Sequence, residues 1–156
     1  MKTKEINLEN VVSEFLRQFP EYPKHPDIIN DDYSDTPYSF FGVINSDLIR
    51  NIEENKNTNN VSVVISWINN LYNDPNLNKN LRNMFYIEFF ETTIGAEKYK
   101  DYLLKNLTGL MHLELRQYIY IVENGGLTDP TTGEILKYTG MNTKSIRTGK
   151  FISDIK

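Results

Sequence analysis

Two carboxylates, Glu88 and Glu91, stand three residues apart inside the apolar run NMFYIEFFETTIG at 83–95. On a helix this spacing puts both acids on one side, which is how an enzyme might present paired acids or begin a metal site. The rest of the chain completes neither chemistry. Acid-base cleavage of a glycosidic bond needs two carboxyls facing each other across a cleft, whereas these two share one helical turn. Di-iron carboxylate bundles use Glu-x-x-His, and neither His25 nor His112 stands three after a glutamate. Helical periodicity alone explains the run, so Glu88 and Glu91 are read as structural or interface residues, with no catalytic residue and no metal or cofactor expected. Burying an ionised glutamate without a partner is costly, so at least one of the pair is expected to meet an arginine, a tyrosine or helix-end amides, with Arg82, Arg116 and Tyr118 as candidates.

The segment DIINDDYSD at 27–35 gathers Asp27, Asp31, Asp32 and Asp35. A calcium-binding EF-hand loop needs D-x-D-x-D-G spacing and a closing glutamate, both absent here. What remains is a solvated acidic loop or a docking loop for a basic protein, with Tyr22, Tyr33 and Tyr38 as aromatic anchors among the charges. No G-x-S-x-G, H-E-x-x-H, G-x-x-x-x-G-K-[ST] or G-x-G-x-x-G occurs, and TGKF at 148–151 lacks the upstream glycine of a phosphate loop. YIY at 118–120 and YTG at 138–140, with Arg147 beyond, faintly resemble the GIY-YIG nuclease module. The first motif lacks its glycine and no glutamate follows Glu134, so the carboxylate that metal-assisted phosphodiester chemistry requires is missing.

The elements that must position these residues read as helices. Val11, Val12, Phe15, Leu16 and Phe19 recur at helical spacing, predicting a first helix over 7–18 with Asn7 as N-cap and Pro20 as its stop. After a long proline- and aspartate-rich loop, Phe40, Phe41, Ile44, Leu48, Ile49 and Ile52 define a second helix, with Asp47, Arg50, Glu53 and Glu54 largely opposite. Val61, Val64, Ile65, Ile68, Leu71 and Tyr72 give a third, capped by Asn59 or Asn60 and ended by Asn73-Asp74-Pro75. Trp67, the only tryptophan, is expected to pack. A fourth helix over about 76–93 is apolar nearly all round in its second half, the mark of a central helix, and Gly95 ends it. Residues 96–106 and 108–123 read as two further helices, or one kinked near Thr108 and Gly109, with Leu107, Leu110, Leu113, Leu115, Ile119 and Val122 among the apolar positions. Beyond the break at Gly125, LTDPTTGEILKYTG carries a turn signal between short apolar pieces and predicts a small hairpin or extended arm.

Length and charge bound the rest. A chain of 156 residues is one domain by size and buries about two-thirds of its unfolded surface without staples. The absence of cysteine excludes disulfides, thiolate metal sites and cysteine nucleophiles. No window approaches the roughly 18 uninterrupted apolar residues of a spanning helix, so a cytoplasmic protein with neither signal peptide nor membrane anchor is expected. Residues 1–134 hold 12 basic and 20 acidic side chains, a net of −8, whereas 135–156 hold 5 and 1, a net of +4. Such a body repels a phosphate backbone and attracts a basic protein. The 19 asparagines are read as compositional, without functional weight.

PYSFFGVINSDLIRNI, VVISWINNLYNDPNLNKNLRNMFYIEFFETTIGAEKYKDYL and LTGLMHLELRQYI together resemble a family of small uncharacterised bacterial proteins, a domain of unknown function. The resemblance spans about residues 8–120 and runs through Pro37, Phe41 and Gly42, then Phe89, Phe90 and Glu91. It implies a likeness to the immunity-type partners of bacterial toxin loci and carries over no catalytic residue. The expectation is an all-α, multi-helix bundle of antiparallel helix pairs over residues 1–124, followed by a basic hairpin or arm over 125–156. Its expected function is non-catalytic binding of a protein partner, a basic toxin for example, through Asp27, Asp31, Asp32, Tyr33, Asp35 and Tyr38. Glu88, Glu91, Phe41, Gly42 and Trp67 serve structure or interface. The rival expectation is a nucleic-acid-binding or degenerate GIY-YIG-like factor acting through the basic tail, and a homo-oligomer that covers the apolar central helix is a third.

Overall fold

A computed structural model describes residues 5–24, 28, 36–123, 136–137 and 144–145. Six helices build the bundle: α1 (Val11–Gln18), α2 (Pro37–Glu53), α3 (Thr58–Tyr72), α4 (Lys79–Phe90), α5 (Glu97–Asn106) and α6 (Gly109–Glu123). Among the described residues the fold is all-α apart from one pair of two-residue strands, β1 (Leu136–Lys137) and β2 (Lys144–Ser145), which pair antiparallel with Leu136 opposite Ser145. The pair brackets residues 138–143 and not the DPTTG turn signal, which lies outside the described residues.

Each helix forms where its apolar residues repeat at helical spacing, but its ends are set by side chains that intercept backbone amides. α1 starts at Val11, four residues later than its periodicity suggests. The Asn7 side chain accepts from the Glu9 amide at 2.9 Å, and the Asn10 side chain accepts from the Asn7 amide at 2.9 Å, so a braced turn precedes the helix. α2 opens with Pro37 in its first turn, where the missing N–H costs nothing, and ends before Asn55 and Asn57, both left-handed at φ 56° and 49°. α3 therefore begins at Thr58, with Asn57 as its flanking residue in place of Asn59 or Asn60. α4 begins at Lys79 because the Asn78 side chain caps it, accepting from the Asn80 and Leu81 amides at 2.9 and 3.3 Å. It gives way at Glu91 to a 3-10 turn, Glu91–Thr93. α5 and α6 are two separate helices, broken at Leu107 and Thr108 and restarted at Gly109 with φ +58°.

Aromatic side chains dominate the core. Phe15 of α1 packs against Phe40 and Phe41 of α2 with ring centroids 5.5 Å from each, and against Trp67 of α3 at 5.6 Å. Phe41 continues the contact to Phe85 of α4 at 5.1 Å. A second group joins Tyr86 and Phe90 of α4, 4.6 Å apart, to Tyr118 of α6, with Tyr86 and Tyr118 at 6.0 Å. Tilted and edge-on contacts of this kind each contribute about 0.5–1.5 kcal/mol beyond the area they bury. α4 is central, as its apolar circumference predicts: Leu81, Met84, Phe85, Tyr86, Phe89 and Phe90 are all buried. Among the described residues no helix is long and apolar enough to cross a membrane.

Candidate functional site

Glu88 and Glu91 lie at the end of α4. Glu88 is half-buried and Glu91 is exposed. Burial first, and the neighbouring Glu91 second, push the Glu88 carboxyl above the usual carboxylate range. Its oxygen rests on α2 at Gly42, where an added Cβ would stand 3.1 Å from Glu88 Oε2. One turn further along α2, buried Asn45 donates to the Glu88 carbonyl at 2.9 Å and to Thr92 Oγ1 at 2.5 Å, and accepts from the Tyr99 hydroxyl at 2.6 Å. One amide thus ties α2, the end of α4 and α5 together. The expected donors do not reach the glutamates: among the described residues neither carboxylate forms a hydrogen bond or ion pair. Arg82 points elsewhere, and Tyr118 only feels Glu91, whose charge adds to burial in raising the phenol.

Of the expected docking residues, Asp27, Asp31, Asp32, Tyr33 and Asp35 lie outside the described residues. Tyr38 stands in the first turn of α2, 38% exposed. Tyr22 is buried and is no surface anchor: its hydroxyl accepts from Asn60 Nδ2 at 3.2 Å, and burial with the nearby Asp47 charge pushes the phenol up to about 12. Asp47 is buried too, contrary to its placement on the outer face of α2. It forms an ion pair with Arg50 at 2.7 Å and accepts from Asn51 Nδ2 at 3.2 Å, which satisfies the charge. Phe41 is fully buried and Trp67 partly so. YIY at 118–120 lies within α6, whereas the GIY-YIG hairpin needs its first motif in a strand.

A cleft of about 780 Å³ opens where the segment before α1, α1 itself and the α3–α4 turn meet. Glu5, Glu14 and Asp74 supply three carboxylates to its lining, and Ile6, Leu71 and Leu77 supply its apolar surface. Among the described residues Arg17 is the one lining cation, and it is held by Glu14 at 2.8 Å. Asp74 shapes its own turn, its Oδ1 accepting from the Asn76 amide at 2.9 Å. Leu77 N–H donates to the Asp74 carbonyl at 3.0 Å, closing the wall.

Behind that wall sits a polar group that helical periodicity, as read above, misses. Glu114 of α6 is 1% exposed and its Oε2 accepts a hydrogen bond from the Tyr72 hydroxyl. Arg82 lies over the Tyr72 ring, 5.7 Å from its centroid, and donates to the Tyr72 carbonyl at 3.2 Å and the Asp74 carbonyl at 2.6 Å. Burial pushes the Glu114 carboxyl up to about 8, against the opposing pull of the Tyr72 hydroxyl and the Arg82 charge. Burial and the Glu114 charge in turn push the Tyr72 phenol well above its ordinary value. Among the described residues Glu114 Oε1 and Gln117 Nε2 are buried without a partner. The signal was present in the sequence: Met111, Glu114, Leu115 and Tyr118 form one helical stripe, and following it would have placed Glu114 inside and Leu113 outside, where it is 44% exposed.

Asparagines clasp the neighbouring turn. Asn69 accepts from the Thr108 amide at 3.1 Å and donates to Thr108 Oγ1 at 2.9 Å. Asn73 donates to the Thr108 carbonyl at 2.9 Å and accepts from the Met111 amide at 2.9 Å. Two amides one turn apart, in the last turn of α3 and just past its end, thereby satisfy the otherwise orphaned start of α6. Among the described residues no group of three or more metal-ligating side chains converges.

No curated protein and no solved structure matches the chain. A family model does match, over residues 12–123, which takes in α1 from its second residue, the whole of α2 to α6 and all of the interhelical contacts described above. The chain therefore belongs to the family described as a domain of unknown function, DUF7674.

Proposed function

We propose that this chain is a non-catalytic protein-binding domain that captures a basic partner in the cleft between α1 and the α3–α4 turn. In the cell this takes the form of an immunity-type protein that neutralises a cognate bacterial toxin by covering it in the cytoplasm. The observation that carries the reading is the lining of the cleft: three carboxylates, Glu5, Glu14 and Asp74, around Ile6, Leu71 and Leu77, with Arg17 as the only opposing charge among the described residues. An apolar floor with an acidic rim fits an amphipathic segment whose polar face carries lysine or arginine. The net charge of −8 on residues 1–134 adds a field that draws such a partner in.

The test is association of the full chain with a lysine-rich amphipathic helical peptide at two salt concentrations, followed by Glu5→Gln with Asp74→Asn. Glu14 is left in place because it holds Arg17. The double variant should lower the association rate roughly tenfold at low salt and flatten its salt dependence. Association that is absent, or equally fast in wild type and variant, overturns the reading.

A further inference from the structure

We propose that Arg82 is the positioning residue of the cleft wall and that the protonation state of Glu114 decides which acceptors hold it, so that ionising this buried acid loosens the turn between Asn73 and Leu77. The proposal rests on the docking reading for its biological consequence, and its measurement is independent of that reading.

The Asp74 carbonyl receives two donors, Arg82 Nη2 at 2.6 Å and the Leu77 amide at 3.0 Å. The Tyr72 carbonyl receives a third, Arg82 Nε at 3.2 Å. A single buried guanidinium therefore fixes the end of α3 and the turn that lines the cleft. The same guanidinium covers the ring of Tyr72, whose hydroxyl donates to Glu114. Among the described residues, the titratable and charged groups facing Glu114 are Tyr72 from α3 and Arg82 from α4, while Tyr86 of α4 acts on the Tyr72 hydroxyl.

With Glu114 neutral, the carbonyls of Tyr72 and Asp74 are the strongest acceptors within reach of Arg82. With Glu114 ionised, a carboxylate inside the same low-dielectric pocket competes for it, and charge-assisted bonds outweigh neutral ones by about a factor of two. Burial of the acid favours the neutral form, so the switch falls above neutrality. The unpartnered Glu114 Oε1 is the acceptor position available for that exchange.

Amide hydrogen exchange of the full chain between about pH 7 and about pH 9 tests this, read as protection factors so that the intrinsic rise of exchange with pH cancels. The Leu77 amide should lose about tenfold more protection in wild type than Ile44 and Leu48 in the middle of α2, the size of one disrupted hydrogen bond, because the loss those two share reports only the fall in global stability as Glu114 ionises. Glu114→Gln should abolish the step. Tyr72→Phe keeps the ring beneath Arg82 but removes the hydroxyl that favours the ionised acid, so its step should move to higher pH. That variant keeps the proposal falsifiable if Glu114→Gln folds poorly. A flat wild-type profile, a loss at Leu77 no larger than that at Ile44 and Leu48, a step that survives Glu114→Gln, or one that does not move in Tyr72→Phe overturns the proposal. Failure of peptide binding with this profile intact would remove the docking function and leave the coupling standing.

Discussion

At the scale of single residues, Glu114 sets the clearest expectation. Its carboxyl is raised in the folded chain from about 4.5 to about 8. A raised acid favours the fold fully below its unfolded value and loses that contribution as pH climbs through its folded value. Wild type should therefore melt progressively lower between about pH 5 and about pH 8, and Glu114→Gln should flatten that slope, as differential scanning calorimetry across pH would show. Two glycines separate by the same kind of accounting. At Gly42 a new Cβ meets only the far end of the half-exposed Glu88 side chain, so Gly42→Ala should gain about 0.5–1 kcal/mol of helix propensity in chemical denaturation. At Gly109 φ is +58° and the Asn73 amide lies 3.0 Å from the new Cβ, so Gly109→Ala should cost about 1–2 kcal/mol. That Glu88 and Glu91 stand at the end of α4 was legible from helical periodicity. Their missing counter-charge was not, because a half-exposed carboxylate keeps its water and needs no arginine.

At the scale of elements, all six helices were legible, since their apolar positions recur with the helical period and the breakers at Pro20, Asn73 to Pro75, Gly95 and Gly109 sit between them. Their ends were less so, because the choice among adjacent asparagines depends on which side chain meets which amide in three dimensions. The abundance of asparagine points to composition alone, yet Asn45, Asn51, Asn69, Asn73 and Asn78 each bind backbone or side-chain partners that fix a helix. Nothing in a linear pattern separates a tie of this kind from a solvated amide, since both sit at polar positions. The α3–α6 clasp gives the test. Asn69→Ala and Asn73→Ala should each cost about 1–2 kcal/mol, and the double variant should cost less than their sum because both engage Thr108. A denaturant double-mutant cycle reads the coupling.

At the scale of the whole molecule, the sequence made the acidity legible but not the cleft. Periodicity assigns faces to helices, whereas a cleft is the gap left between faces, here between residues 5–17 and residues 71–77. Long-range placement of that sort has no signature in either segment alone. The acidic body also carries an expectation of its own: a net charge of −8 over residues 1–134 repels itself, and the described ion pairs Glu14–Arg17, Asp47–Arg50, Glu54–Lys56 and Glu97–Lys100 are local ones. Moderate salt should therefore raise the melting temperature by screening like charges, while it weakens capture of a cationic partner. Trp67 gives the molecule its own optical probe. The single indole stacks edge-on against Phe15 and Phe19, 5.6 and 6.1 Å away, and no second tryptophan dilutes its emission. Any event that lifts α1 off the bundle must hydrate that ring, so a red shift in fluorescence would announce the separation of one wall of the cleft without a label, a mutation or a known ligand.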